Sequence, residues 1–189
     1  MLPFHECYTN SETVVGVVAD RYYGVFNGED TMETYWTLRR QAVSYDVPEK
    51  PWQIEGLNAL AFLEKIFSCH IDNLAEGRGR YAIACTDSGG AFMDGILFKM
   101  AENCHWYVQH RWCLKPCLIA HSAGFDVMVS DPKGRVLQIQ GLNSKHITAD
   151  LTNGAIDESM KYFHSRYFDI GGQRLYVSRT GWTGELGSV

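Results

Sequence analysis

Arg80-Tyr81-Ala82-Ile83-Ala84-Cys85-Thr86, then Asp87-Ser88-Gly89-Gly90, then Phe92-Met93-Asp94-Gly95-Ile96-Leu97-Phe98-Lys99 is the stretch that decides the fold. Apolar and aromatic residues run on either side of a Gly-Gly turn, which predicts an antiparallel hairpin. Upstream, Trp52 to Glu55 reads as a short strand. Leu57 to Ser68 reads as a helix, with Leu60, Leu63 and Phe67 at helical spacing and Phe62 and Ile66 beside them. Downstream, Trp106 to Gln109 predicts another strand. Cys113 to Ala123 predicts a helix with Pro116 in its first turn, and Phe125 to Val129 a strand.

The order strand–helix–strand–strand–helix–strand predicts an α+β chain built on a ferredoxin-like split βαβ unit. Further out, Asp30 with Glu33 three residues later reads as a capping box that opens a helix through about Ser44. Met32, Tyr35, Trp36, Leu38 and Val43 would give it an imperfect core stripe. Pro48 and Pro51 then break the chain. Past Pro132, Val136 to Gln140 predicts a strand, Asn143 to Ala149 a helix, and Gln173 to Ser178 a strand after the Gly171-Gly172 turn. The expected organisation is a subdomain over 51–132, flanked by a discontinuous α/β domain from 1–50 and 133–189.

The 189 residues suffice for a sizeable core, and 46% hydrophobic with 21% charged residues is ordinary for a globular protein. A net charge of −5 argues against nucleic-acid binding, and no basic-plus-aromatic motif or phosphate loop occurs. No apolar run approaches a membrane span, and Met1 to Asn10 lacks the layout of a signal peptide. The six cysteines show no framework spacing, so free thiols in a reducing cytoplasm are the expectation. Cys104, His105, His110, Cys113, Cys117 and His121 do cluster, but without a paired Cys-x-x-Cys. Buried small hydrophobes explain the cysteines better than zinc ligation does, so no metal site is expected.

The most specific chemistry lies in Ser178-Arg179-Thr180-Gly181-Trp182-Thr183-Gly184-Glu185-Leu186-Gly187. Its glycines allow tight turns and close backbone approach to a ligand. Trp182 offers a flat apolar face, and the Glu185 carboxylate accepts from two adjacent N–H groups. That combination suits a flat heterocycle with a guanidine-like edge, such as a pterin. The segment resembles the S-R-T-G-Y-T-G-E stretch of the folate-binding aminomethyltransferase family, the glycine cleavage T-protein and its relatives.

Other pieces resemble the same family in the same order. They are Val43-Ser44-Tyr45-Asp46-Val47, Ile54-Glu55-Gly56-Leu57-Asn58-Ala59, the hairpin with Gly79, Tyr81, Gly89-Gly90 and Asp94, and Leu137-Gln138-Ile139-Gln140-Gly141-Leu142-Asn143-Ser144. Lys99-Met100-Ala101 and Gln138-Ile139-Gln140 look like its dimethylsulfoniopropionate demethylase branch, whereas Gly184-Glu185 looks like the T-protein. The family's Asp-Asp pair after Gly-Gly is here Met93-Asp94, and Gln109 or His110 stands nearest the family's asparagine. The resemblance implies a longer enzyme with a C-terminal barrel domain. A fragment, a truncated reading frame or a degenerate relative is therefore expected.

What the resemblance implies for function is a tetrahydrofolate-dependent one-carbon transferase that binds folate between the two domains. Asp94 would orient the reacting nitrogen, Glu185 would hold the pterin edge, and Trp182 and Tyr81 would wall the ring. Arg179 would pair with the folate tail or with a nearby acid. The donor would be a small methyl or aminomethyl compound or a lipoyl carrier protein, and a homodimer is a further expectation. The rival is a non-catalytic folate-binding or interaction module of the same superfamily.

Overall fold

A computed structural model describes residues 5–18, 21–110, 114–157 and 159–188. The elements, in chain order, are α1 (His5–Tyr8), β1 (Val14–Val18), β2 (Arg21–Phe26), α2 (Thr31–Arg40), β3 (Val43–Val47), β4 (Lys50–Glu55) and α3 (Ala59–Ile66). There follow β5 (Arg78–Cys85), β6 (Ala91–Ala101), β7 (Cys104–Gln109), α4 (Leu114–His121), β8 (Met128–Ser130), β9 (Val136–Gln140), α5 (Ser144–Leu151), β10 (Ser165–Ile170), β11 (Gln173–Ser178) and β12 (Gly187–Ser188). The chain is a mixed α/β protein made of two compact units. One takes the described parts of Met1–Pro48, Val136–Met160 and Phe168–Val189, the other those of Glu49–Arg135 and Lys161–Tyr167.

The second unit is a five-stranded sheet in the order β5-β6-β7-β4-β8. The predicted hairpin is its frame: Arg78 to Ala84 pairs antiparallel with Met93 to Lys99, and Thr86 N donates to Gly90 O across the turn. Alternation sorts the side chains. Ala82, Ala84, Met93, Leu97, Tyr107, Trp52 and Ile54 face α3 and α4, where Phe62, Leu63, Leu114 and Leu118 complete the core. Three consecutive strands, β5, β6 and β7, stand between the two helices; β7 is the strand predicted at Trp106 to Gln109, which the six-element split-unit order leaves out. β8 begins at Met128 and not at Phe125, because Asn58 Oδ1 accepts from Asp126 N and Asn58 N donates to Asp126 O. Those bonds tie the chain to the start of α3 before it joins the ladder.

In the first unit the central sheet has the order β12-β9-β3. β3 runs antiparallel to β9 from Val43↔Gln140 to Val47↔Val136, which joins the first two of this unit's three pieces. The predicted helix over 30–44 is corrected at its end. Asp30 accepts from Met32 N and Glu33 N, so the cap forms, but α2 stops at Arg40 and residues from Val43 onward extend as strand. The predicted core stripe is also corrected. Leu38 is buried, whereas Met32, Tyr35 and Trp36 are exposed, with the Arg39 guanidinium over Tyr35 and that of Arg40 over Trp36. Spacing alone does not say which side of a short helix meets the core. Ile156, Met160, Phe168 and Val177 form a smaller core, and the β10–β11 connection turns at Gly171-Gly172. The sequence reading did not anticipate β1, β2 or β10.

His105 on β7 is 1% exposed, and neither ring nitrogen has a hydrogen-bond partner. Burial, with the Lys99 charge beside it, pushes its pKa down from 6.5 to about 4. The folded state therefore holds a neutral ring. The stability this contributes is present above pH 6.5 and is lost as pH falls toward 4, by at most about 1.4 kcal/mol per pH unit. His105→Leu is expected to flatten that acid slope at little cost at pH 7, because an apolar side chain leaves no buried donor unpaired. Urea titrations at pH 7 and pH 4.5 check this; equal slopes in parent and variant would contradict it.

Candidate functional site

The tail motif runs from the end of β11 to β12, and both ends are fixed by hydrogen bonds. β12 pairs with β9 through Gly187↔Gln140 and Ser188↔Ile139. Leu186 O accepts from Gly141 N at 2.7 Å and from Ser144 Oγ at 3.1 Å. Inside the loop lies the fully buried side chain of Gln140. Its Oε1 accepts from Thr183 Oγ1 at 2.8 Å, and its Nε2 donates to Thr180 O at 3.4 Å. A Cβ at Gly181 or Gly187 would overlap this amide, so the glycines serve the clamp as much as any ligand. Gly184 has φ +76, a left-handed conformation that L side chains rarely adopt.

Glu185 sits at the loop's outer turn. Its N–H donates to Thr183 Oγ1 at 3.2 Å, so the Gln140 amide, the Thr183 hydroxyl and the Glu185 backbone form one chain of hydrogen bonds. The carboxylate is held from α2: Arg39 Nη1 donates to Glu185 Oε1 at 2.6 Å and to Thr183 O at 3.4 Å. That pair raises the Arg39 pKa further and leaves Glu185 Oε2 unpaired among the described residues. Trp182, 49% exposed, presents much of its indole at the surface. Arg179 Nη1 donates to Met160 O at 2.6 Å, so this residue anchors the loop to the segment before β10 and does not meet a nearby acid through that nitrogen.

Tyr81 and Asp94 belong to the other unit. They lie diagonally across β5 and β6, since Tyr81 pairs with Ile96 and Ile83 with Asp94, on the sheet face opposite α3 and α4. Tyr81 Oη donates to Asp94 Oδ2 at 2.6 Å. That bond raises the phenol pKa above 10, with lesser contributions from partial burial and the carboxylate charge. Asp94 is exposed, on the helix-free face near the hairpin turn where strand alternation puts it. Asp94 Oδ1 is unpaired among the described residues, so the pair offers an acceptor oriented by a phenol.

The Cys/His segment is not gathered among the described residues. Strand alternation sends Cys104 and His105 to opposite faces of β7, and Cys113 lies outside the described residues. On α4, Cys117 Sγ lies 3.6 Å from His121 Nδ1, which sits 2.9 Å from Cys117 O. Glu64, His70 and Asp72 bring ligand atoms within 4.8 Å of one another, but Glu64 Oε1 already accepts from Ile71 N and Asp72 N.

Sequence reasoning missed Arg39 and Gln140. A signal for Gln140 was available: β9 alternates, and its inward positions Val136, Gln138 and Gln140 include two glutamines. A buried amide on a core face has to find partners.

The sequence matches the family described as GCVT N-terminal domain over residues 13–188. The chain belongs to that family. An aminomethyltransferase of Chloroherpeton thalassium is 26% identical over 155 residues, covering 78% of this chain and 42% of that protein. One from Streptomyces coelicolor is 30% identical over 139 residues, covering 71% of this chain and 37% of that protein. The solved structure of the glycine cleavage system aminomethyltransferase T from Bartonella henselae matches with a TM-score of 0.84 at 22% identity. The match covers 99% of this chain and 52% of that one. A heterotetrameric sarcosine oxidase from Corynebacterium sp. U-96, at TM-score 0.56 and 13% identity, shares the fold more loosely, over 79% of this chain. The chain spans less than half the length of these curated relatives. Among the described residues no helix is long and apolar enough to cross a membrane.

The Gln140 clamp makes a stability prediction. Gln140→Ala leaves the buried Thr180 carbonyl and the Thr183 hydroxyl without their partner and opens a small void, which should cost about 2–4 kcal/mol. Denaturant unfolding measures the cost, and hydrogen exchange should show residues 179–187 losing protection first. An unchanged midpoint would mean the clamp does not hold the loop.

Proposed function

We propose that this chain carries the tetrahydrofolate-binding part of a one-carbon transferase of the glycine cleavage T-protein type. The observation that carries the reading is the tail loop. It is pre-formed around Gln140, presents the indole of Trp182, and leaves one oxygen of a fixed carboxylate unpaired. These residues fit a pterin: Glu185 Oε2 can accept from its N–H edge, and a flat ring can lie on Trp182. Tetrahydrofolate supplies a nitrogen that accepts one carbon from a donor.

The chain's own residues would do the rest. Asp94, oriented by the Tyr81 hydroxyl, would accept an N–H and balance positive charge at the reacting nitrogen. Tyr81, 42% exposed, would flank the ring. Arg179 keeps further N–H donors for the carboxylate tail of folate after its bond to Met160 O. The donor would be a methyl or aminomethyl compound or an aminomethyl group on a lipoyl carrier protein, which leaves both branches of the family open. The five described cysteines are free thiols, which favours the cytoplasm.

Calorimetric titration with tetrahydrofolate under anaerobic conditions tests the reading, with one-to-one saturable binding expected. Glu185→Ala should weaken it about thirty- to a hundredfold, the cost of leaving semi-buried N–H donors unpaired. Binding equal to the parent would remove Glu185 from the site. Asp94→Asn separates transferase from non-catalytic module. Binding within about threefold of the parent and transfer slowed by roughly a hundredfold support catalysis. Unchanged transfer would remove Asp94 from the chemistry.

A further inference from the structure

We infer that Arg39 is a specificity-determining residue of the pterin site, which makes Glu185 an acceptor for a neutral N–H edge and not for a cation. The inference rests on the folate reading above. An isolated carboxylate in a partly covered site draws a cationic partner, because a charge-assisted hydrogen bond is roughly twice as strong as a neutral one. Glu185 is not isolated. Its side chain is 18% exposed, and the Arg39 guanidinium stands 2.6 Å from Oε1. The loop thus presents Oε2 as an acceptor on a pair with no net charge.

Arg39 is itself fixed in place. Its Nη1 also reaches Thr183 O, its guanidinium lies over the Tyr35 ring at 5.2 Å, and its Nε is buried without a partner. A buried N–H left unpaired is a cost, and the ion pair to Glu185 offsets it. The recognised edge follows from this electrostatics. A 2-amino-4-oxopteridine is neutral and offers its ring N–H and amino group. Its 2,4-diamino counterpart protonates on the ring and offers a cation, which the nearby guanidinium repels. Arg39 is thereby a selectivity filter acting through Glu185.

The test compares tetrahydrofolate with its 2,4-diamino analogue in mildly acidic buffer where the analogue carries its ring proton, by calorimetry on the full chain. The parent should prefer the neutral ligand. Arg39→Gln should shift the affinity ratio at least tenfold toward the cationic analogue. Arg39→Lys should keep a near-parental ratio, because the contacts to Glu185 Oε1 and Thr183 O come from one nitrogen, and an ammonium there keeps the charge that sets the preference. A purely structural Arg39 would weaken both ligands together and leave the ratio unchanged, which would overturn the inference while leaving the folate reading intact. If the parent binds neither pterin, the folate reading fails and this inference fails with it. Should Arg39→Gln not fold, an Arg39→Lys ratio shifted as far as tenfold would likewise overturn it, since the charge would then not set the preference.

Discussion

The buried amide of Gln140 is the constraint on which the tail loop depends. A strand residue facing a core is ordinarily apolar, and an amide in that position has to find partners. It finds them in Thr183 and Thr180, on a loop that is irregular along its length. That requirement excludes side chains at Gly181 and Gly187, and β12 pairs with the same strand beside it. A flexible-looking stretch rich in glycine becomes a defined surface. Its outward-facing groups, the Trp182 indole and the Glu185 carboxylate, are presented without the loop having to order on binding. Preorganisation of this kind saves the entropy that a mobile loop would lose when it orders around a ligand.

The second fixed point is the ion pair between Arg39 and Glu185. It links α2, close to the start of the chain, to the tail near its end. The β3–β9 pairing carries the same connection through the backbone. Sequence neighbours therefore matter less to this unit than two long-range joints. The hairpin unit is governed differently. Its large core packs α3 and α4 against one sheet face by simple alternation, and the phenol–carboxylate pair stands on the other face because alternation leaves it there.

Local signals explain what could be read directly. The 80–99 hairpin, β9 and β11 were legible because strand alternation, the Gly-Gly turns and short length leave few alternatives. The α2 cap was legible because Asp30 has one strong local use. The extent of α2 was not: Val43 and Tyr45 belong to a strand whose partner lies far along the chain, and local periodicity carries no information about that partner. The exposed Tyr35 and Trp36 mislead for a related reason, since two arginines lie over their rings where a core was expected. In the candidate site, motif chemistry singled out Glu185 and Trp182, and the hairpin carried Tyr81 and Asp94, but their diagonal pairing across it was not read from the sequence. Arg39 was not legible, because on a helix read as far as Ser44 an arginine is an ordinary solvated side chain, and nothing local points to an acid 146 residues further on.

The account's central claim is that the pterin edge meets Glu185 on a loop already formed. A crystal structure of the chain grown with tetrahydrofolate tests this most directly. The account predicts the pterin stacked at Trp182 with its N–H edge within hydrogen-bond distance of Glu185 Oε2, the Arg39 contact to Oε1 unbroken, and residues 179–187 unmoved from the ligand-free form. A pterin bound away from Glu185, or a carboxylate that has left Arg39 to receive it, would contradict the claim.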